Sequence, residues 1–216
     1  MSILFSYGLE RSGSTLGFEA SKYLLETYGY SQSKVQHKLL DPLKKQENFI
    51  PDELLNNLDL LKELNDNCNF VVFKTHSKLL KPTREFILKN NIPFSISIRD
   101  PRDIIISLLE IGKKIRESGE TGVFNYIYNF DIALTHFRDN LEKLKTWIPL
   151  LENKNGCLII YENFINNSEP LLSYISNLLD QVKVDHSLVK FGCANRFTQF
   201  NKGIPGRGSI LLKEKE

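Results

Sequence analysis

The sequence predicts an α/β fold in which helices cover both faces of a central parallel β-sheet, and two observations support this prediction. Four short apolar stretches have the length of strands, and they begin at Ile3, Phe70, Pro93 and Cys157. The stretch from Phe70 to Phe73 is a continuous apolar run, which is typical of a parallel strand that is buried on both faces. Helical patterns separate the four stretches, and such an alternation indicates successive βαβ units. The chain has 216 residues, of which 41% are hydrophobic, so we expect a single domain over residues 1–216.

The helices are predicted from the spacing of apolar residues and from the positions of glycine and proline. Pro51, Pro82 and Pro101 each stand at the expected first turn of a helix, where the missing N–H of proline does no harm. Residues 31–49 indicate a weakly helical or irregular segment, and residues 112–122 a charged and flexible one. The predicted helices cover residues 13–27, 51–64, 82–88, 101–111, 123–147 and 169–179.

The charge and the cysteines exclude several classes of function. With 28 basic and 26 acidic residues the net charge is +2, which gives no overall attraction to nucleic acid or to an anionic membrane. The three cysteines lack the spacing of metal ligands, so we expect reduced thiols and no metal site. No apolar run approaches the length of a membrane span, and the N-terminal residues lack the layout of a signal peptide. We therefore expect a cytoplasmic protein.

A glycine-bracketed segment follows the first strand. Gly8 and Gly13 have the spacing of a Walker A motif and are followed by Ser14 and Thr15, but Ser14 stands where that motif has its lysine. Such a loop points backbone N–H groups towards a phosphate at the N-terminus of a helix. The nearest cation is Arg11, within the loop. The pattern predicts a phosphate-binding loop that does not hold an ordinary triphosphate, although the glycines could simply shape a strand–turn–helix connection.

Basic and titratable side chains follow the other three strands. In a parallel sheet the ligand lies beyond the carboxyl ends of the strands, so these groups are expected to meet there. Together they predict a site for a multiply charged anion with a titratable base beside it. The groups are Lys74 and His76, then Arg99 and Arg102 with Ser107, and then Tyr161 with Glu162.

Each of these groups also has a purely structural interpretation. His76 could hydrogen-bond the end of its strand, and Tyr161 could be a core tyrosine. Residues 99–103 could form an ion network at the start of a helix. The aromatic residues Tyr126, Tyr128, Phe130 and His136 could line an acceptor pocket, but their spacing equally fits the core-facing stripe of a helix.

Taken together, the motifs resemble those of the sulfotransferases that use 3′-phosphoadenosine-5′-phosphosulfate (PAPS). They occur in the order found in that family and extend from Gly8 to Gly203. The segments that carry the resemblance are Glu10–Thr15, Phe73–His76, Arg99–Ile104 with Ser107, Tyr161–Asn163 and Asn201–Gly203.

The resemblance implies transfer of a sulfuryl group from PAPS to a hydroxyl or an amine of a small-molecule or carbohydrate acceptor. It implies His76 as the general base, Arg11 as the cation at the bridging oxygen, and Lys74 as a ligand of the sulfuryl oxygens. The product would be 3′,5′-diphosphoadenosine (PAP), with no metal required and no nucleic acid as partner. The residues expected to bind PAPS are Arg11, Ser12, Gly13, Ser14, Thr15, Leu16, Arg99, Ser107, Tyr161, Phe191, Lys202 and Gly203.

Two other functions remain open from the sequence. A P-loop nucleotide or small-molecule kinase would need a lysine at position 14 and a carboxylate after an apolar strand, whereas the strand ending at Phe73 leads into Lys74. A non-catalytic relative would bind the nucleotide without turnover. The sequence determines neither the acceptor nor the oligomeric state.

Overall fold

The computed structural model describes residues 3–41, 48–179 and 206–208, and it contains the predicted parallel sheet. The four strands pair in the order β2-β1-β3-β4, and every pairing between them is parallel. The first strand therefore lies inside the sheet, between the second and the third. The strands are β1 (Ile3–Gly8), β2 (Val71–Thr75), β3 (Phe94–Ile98) and β4 (Gly156–Ile160).

Eight α-helices and one 3₁₀-helix are described over their full length, and they connect and follow the strands. The 3₁₀-helix covers Ile148–Glu152. The α-helices are α1 (Ser14–Thr27), α2 (Asp52–Leu55), α3 (Leu58–Asn67), α4 (Lys81–Lys89), α5 (Pro101–Ser118), α6 (Phe130–Trp147), α7 (Tyr161–Phe164) and α8 (Glu169–Leu178).

The helix boundaries differ from the sequence-based expectation in two places where asparagine caps a helix. Asn57 accepts a hydrogen bond from the backbone N–H of Leu60 and starts α3, which divides the helix expected over residues 51–64. Asn129 accepts one from Ile132 and starts α6, several residues later than expected. Asparagine at the N-cap satisfies a backbone donor that the helix itself leaves free.

The expectation of a flexible segment over residues 112–122 is wrong for most of its length, because α5 continues to Ser118. Gly112 permits a close approach, since a Cβ atom there would lie 2.3 Å from the carbonyl oxygen of Ile127. Arg116 then donates to the carbonyl oxygens of Asn125 and Ile127 at 2.9 and 2.7 Å. These contacts hold the last turns of α5 against the chain that leads into α6.

Two apolar clusters lie on opposite faces of the sheet, and this confirms the predicted α/β fold with helices on both faces. Side chains of α1 and α8 pack on one face, and those of α3, α5 and α6 pack on the other. Strand β1 contributes to both clusters in alternation, because successive side chains of a strand point to opposite faces. In the larger cluster, Trp147 stacks on Tyr7 with ring centroids 4.7 Å apart and donates its indole N–H to the carbonyl oxygen of Ser77 at 2.8 Å.

A short segment before α2 adds to the β2 edge of the sheet. The backbone of Lys74 donates to the carbonyl oxygen of Asn48 at 2.8 Å and accepts from the N–H of Ile50 at 2.9 Å. This pairing places Phe49 beside the carboxyl end of β2, where the predicted site begins. None of the helices in the described residues is long and apolar enough to cross a membrane.

Candidate functional site

The loop between β1 and α1 has a conformation that requires glycine at position 13. Arg11 and Gly13 both have left-handed backbone angles, with φ of 66° and 84°. A Cβ atom on Gly13 would lie 2.4 Å from the ring carbon Cδ2 of Tyr161, so the ring occupies the space that a side chain would need. Ser12 fixes the loop to the neighbouring strand by donating its hydroxyl to the carbonyl oxygen of Ser97 at 3.0 Å.

Arg11 joins this loop to α5. Its Nε donates to Oγ of Ser107 at 3.0 Å. Burial, followed by the nearby charge of Arg99, lowers the pKa of Arg11, yet a guanidinium stays charged at neutral pH. A partly buried cation therefore contacts Ser107, which the family resemblance includes among the residues expected to bind PAPS.

Arg99, at the end of β3, lies between the loop and α5. One terminal nitrogen donates to the carbonyl oxygen of Arg11 at 3.4 Å, and the other pairs with the buried carboxylate of Asp103 at 3.4 Å. The guanidinium lies over the ring of Tyr161, with 4.4 Å to its centroid. Its Nε is buried and has no hydrogen-bond partner among the described residues. A buried donor of this kind fits an anionic oxygen, as a phosphate would supply.

Lys74, near the end of β2, reaches the loop from its other side. Its Nζ donates to Oγ1 of Thr15 at 2.7 Å. Burial lowers the pKa of Lys74 to about 8, with a smaller contribution from Arg11 and an opposing one from Glu19. At neutral pH this ammonium is still mostly protonated, but it is easier to deprotonate than an exposed lysine.

His76 follows β2 and also contacts the loop. Its Nδ1 lies 2.5 Å from the carbonyl oxygen of Gly8. A carbonyl only accepts, so the neutral ring carries its proton on Nδ1 and presents a lone pair at Nε2. Burial, together with the charge of Lys74, lowers the pKa of His76 to about 4. The ring of Phe49 lies beside it, with centroids 5.8 Å apart.

A second group of titratable side chains lies beside these residues. Sequence reasoning grouped Tyr126 with His136 as possible pocket residues but did not connect them to Glu10. Oε2 of Glu10 lies 2.5 Å from Nε2 of His136, and Nδ1 of His136 lies 2.5 Å from the hydroxyl of Tyr126. Burial alone would raise the pKa of Glu10, but the hydrogen bond and charge of His136, with His76 and Lys143, lower it. The sequence contained Glu10 within the loop motif, but no spacing signal links it to a residue of α6.

Arg102 does not join the site, although it follows the same strand as Arg99. Its guanidinium is exposed and pairs with Asp100, with 2.6 Å between Nη2 and Oδ2. Asp100 also accepts from the backbone N–H of Arg102 at 2.8 Å, which caps α5. Glu162 is part of the same helix start, because its carboxylate accepts from the N–H of Asp100 at 2.9 Å. For Arg102 and Glu162 the purely structural interpretation therefore holds. Arg99 is still available to bind an anion.

The remaining expected cofactor residues are only partly described. Leu16 is buried in the cluster beneath α1, so its contact with a nucleotide stays a prediction. Phe191, Lys202 and Gly203 lie outside the described residues. Just after them, the backbone N–H groups of Gly206 and Gly208 donate to Asp103 at 2.8 and 2.6 Å. Arg207 forms an ion pair with Glu110, so this short tail segment lies against α5 near Ser107.

Comparison with known proteins identifies the fold. No protein-family model matches the chain, and a search of curated proteins gives no match. Among solved structures, mouse sulfotransferase SULT7A1 complexed with PAP matches with a TM-score of 0.54 at 12% identity, over 94% of this chain and 69% of that one. The chain has the sulfotransferase fold.

Two further structures share this sulfotransferase fold. Retinol dehydratase in complex with androsterone and inactive cofactor PAP matches with a TM-score of 0.58 at 16% identity, over 99% of this chain and 76% of that one. The same enzyme in a complex with retinol and PAP matches with the same score and identity, over 99% and 77%. At sequence identities this low, the structural matches establish a common fold and nothing about the reaction. The chemistry has to be argued from the residues of the site.

Proposed function

We propose that the protein is a PAPS-dependent sulfotransferase that acts on a hydroxyl or an amine of a small-molecule or carbohydrate acceptor. PAPS, as the co-substrate, supplies the sulfuryl group and leaves as PAP. Sulfuryl transfer depends mainly on in-line positioning and on neutralisation of charge. The described residues contain no cluster of three or more metal-ligating side chains, and every role in the proposal belongs to a side chain or a backbone N–H of this chain.

The loop and α5 would hold the two anionic ends of the co-substrate. The backbone N–H groups at the start of α1 would bind the 5′-phosphosulfate, because a helix N-terminus carries partial positive charge. Arg99 and Ser107 would bind the 3′-phosphate, and the unpartnered Nε of Arg99 supports this role. Lys202 and Gly203 would complete that end of the site.

Arg11 and Lys74 would stabilise the charge that develops during transfer. Arg11 would neutralise the bridging oxygen as the bond from that oxygen to sulfur breaks. Lys74, which donates a hydrogen bond to Thr15 at the start of α1, would hold the sulfuryl oxygens. Fixed cations in a partly buried site stabilise such charge more effectively than water does.

His76 would be the general base. Because Nδ1 faces the carbonyl oxygen of Gly8, Nε2 is the atom that would take the proton from the acceptor as its oxygen attacks sulfur. A pKa of about 4 keeps the ring neutral at pH 7. Bound anions would raise this pKa and strengthen the base, since an opposite charge favours the protonated form.

The observation that carries the proposal is the contact between Arg11, inside a phosphate loop without lysine, and Ser107 of α5. In the proposed arrangement, this cation would lie between the two anion sites, and the observed contact supports that arrangement. The solved structures with androsterone and with retinol support a small acceptor with a large apolar part. Cys68 and Cys157 are free thiols, which supports a reducing compartment such as the cytoplasm.

Thermal unfolding with PAP, and separately with ATP and Mg²⁺, tests the proposal. A ligand that binds only the folded state raises the unfolding temperature by mass action. We expect stabilisation by PAP at concentrations where ATP with Mg²⁺ has little effect, followed by transfer of labelled sulfate from PAPS to phenols, alcohols and sugars. Stronger stabilisation by ATP with Mg²⁺ would favour a kinase. Binding of PAP without transfer to any acceptor would favour a non-catalytic relative.

A further inference from the structure

Glu10 is a carboxylate within a site of cations. It precedes Arg11 in the loop, and the charges of Arg11, Lys74 and Glu10 act on one another. The Glu10 side chain is 20% exposed, so solvent and ligands reach part of it. The negative charge of a carboxylate repels a phosphosulfate. Glu10 therefore suits a ligand group that is not anionic.

The Glu10 carboxylate is held in one orientation by α6 and by the segment before it. His136 contacts Oε2, and Tyr126 contacts the other ring nitrogen of His136. Asn140 donates to the carbonyl oxygen of His136 at 2.9 Å and steadies that turn of the helix. Oε1 of Glu10 has no hydrogen-bond partner among the described residues. A fixed carboxylate with one free oxygen is a preorganised acceptor for an N–H or O–H group.

The proposed base contacts the loop at Gly8, two residues before Glu10. The charges of Glu10 and His76 act on each other, and Lys143 acts on both without forming an ion pair with Glu10 in the described structure. Aromatic rings lie near both groups. Phe49 is beside His76, and Phe124 and Tyr126 are beside His136 with centroids 5.9 and 6.0 Å away. The surroundings suit the apolar body of an acceptor rather than the nucleotide.

We propose that Glu10, positioned by His136 and Tyr126, is an acceptor subsite that binds a protonated amine. The preferred acceptors are then amino alcohols or phenols with an aminoalkyl chain, which place their hydroxyl at His76 and their ammonium group at Oε1 of Glu10. The inference rests on the proposed function for the identity of the reacting hydroxyl. Preference for the amine is a binding property and is measured independently of turnover.

Tyramine and 4-propylphenol provide a matched pair of probes. Both are phenols with a three-atom chain, and only tyramine ends in an ammonium group. Dissociation constants measured by calorimetry, with and without saturating PAP, should show that the wild-type protein prefers tyramine by about tenfold, as expected for a charge-assisted hydrogen bond. Glu10→Gln keeps the shape of the side chain and should abolish this preference.

Two further variants separate recognition from general effects. Glu117→Gln removes an exposed carboxylate at the end of α5, and it should retain the full preference. Tyr126→Phe removes the hydroxyl that contacts His136, and it should reduce the preference about threefold by loosening Glu10. Unfolding curves and the affinity for PAP establish that each variant is folded.

The outcomes separate this inference from the proposed function. Equal affinities for the two phenols in the wild-type protein, or an unchanged preference in Glu10→Gln, would overturn the amine subsite. In that case the contact between Glu10 and His136 serves only to join the loop to α6. If PAP does not bind but the amine preference disappears in Glu10→Gln, the subsite stands and the sulfotransferase proposal fails. If PAP binds, the wild-type protein prefers tyramine and Glu10→Gln loses that preference, the results support both the amine subsite and the proposed function.

Discussion

Nε of Arg11 and Oγ of Ser107 lie 3.0 Å apart, although 96 residues separate them in the chain. The contact joins the phosphate loop at the centre of the sheet to the second turn of α5. It forms within the protein alone, so the position of the Arg11 guanidinium is set before any ligand binds. Preorganisation of this kind reduces the entropy that ligand binding has to overcome.

Replacing Ser107 with alanine should weaken the binding of PAP by about tenfold, because a hydrogen bond to a charged group contributes roughly 1.5–3 kcal/mol. Calorimetric titration with PAP measures the change. Ser118→Ala, at the exposed end of the same helix, is the matched control and should bind PAP like the wild-type protein. Unchanged affinity in Ser107→Ala would remove this residue from the 3′-phosphate site.

Replacing His76 with asparagine should lower kcat by about 100-fold to 10,000-fold, the usual contribution of a general base. The affinity for PAP should change by less than about threefold, because the ring faces the acceptor in the proposed arrangement. Single-turnover transfer from PAPS and titration with PAP measure the two effects. Retention of transfer in this variant would exclude His76 as the base.

The pH dependence of kcat/KM should reflect Lys74. In the free protein its pKa is about 8, so its positive charge is present below this pH and is lost as the pH rises through it. Activity should therefore fall above pH 8. In Lys74→Arg the falling limb should move well above pH 9, because a guanidinium does not titrate in this range. An unchanged limb would assign it to another group.

The acid side of the same profile concerns His76. Its pKa in the free protein is about 4, so the ring becomes a neutral base as the pH rises through this value. We expect no rise in kcat/KM near pH 6.5 that depends on His76. Since a phosphate of the co-substrate titrates near pH ~6, the comparison is made between wild-type protein and His76→Asn. A limb near 6.5 present only in the wild-type protein would contradict the lowered pKa.

Replacing Gly13 with alanine should abolish PAP binding and destabilise the fold. Gly29→Ala is a matched control, because both glycines have left-handed φ values, 84° and 88°, but no atom lies within 4 Å of a Cβ on Gly29. The control should lose about 1 kcal/mol of unfolding free energy from backbone strain. Gly13→Ala should lose about 1–3 kcal/mol more from overlap with Tyr161. Chemical denaturation compares the two, and equal losses would argue against the overlap.

The fold could be predicted because the strands are short, largely apolar stretches that alternate with helical patterns, as a parallel sheet covered on both faces requires. The carboxyl ends of the strands then located Lys74, His76 and Arg99 near the loop. Helix ends were less predictable, since α5 continues past Gly112 through packing against Asn125 and Ile127, which belong to the segment before α6.

The contact between Glu10 and His136 could not be predicted for the same physical reason. It joins a loop to a helix 126 residues away, and no local pattern records a contact that only the packing of α6 creates. The pKa of His76 also depends on tertiary structure. The sequence predicted a titratable base at this position, and burial beside Lys74 lowers its pKa to about 4 in the free protein.

The residues proposed to bind PAPS and to act in transfer lie at or beyond the carboxyl ends of the strands. The amino ends of the strands, on the opposite side of the molecule, have no proposed role in catalysis. The turn between α4 and β3 lies at the amino ends, and Asn90 and Asn91 are exposed there. A fluorescent dye or a surface tether attached at Asn90 would point away from the loop and from His76. Single molecules immobilised in this way would present the entire ligand-binding edge to solution.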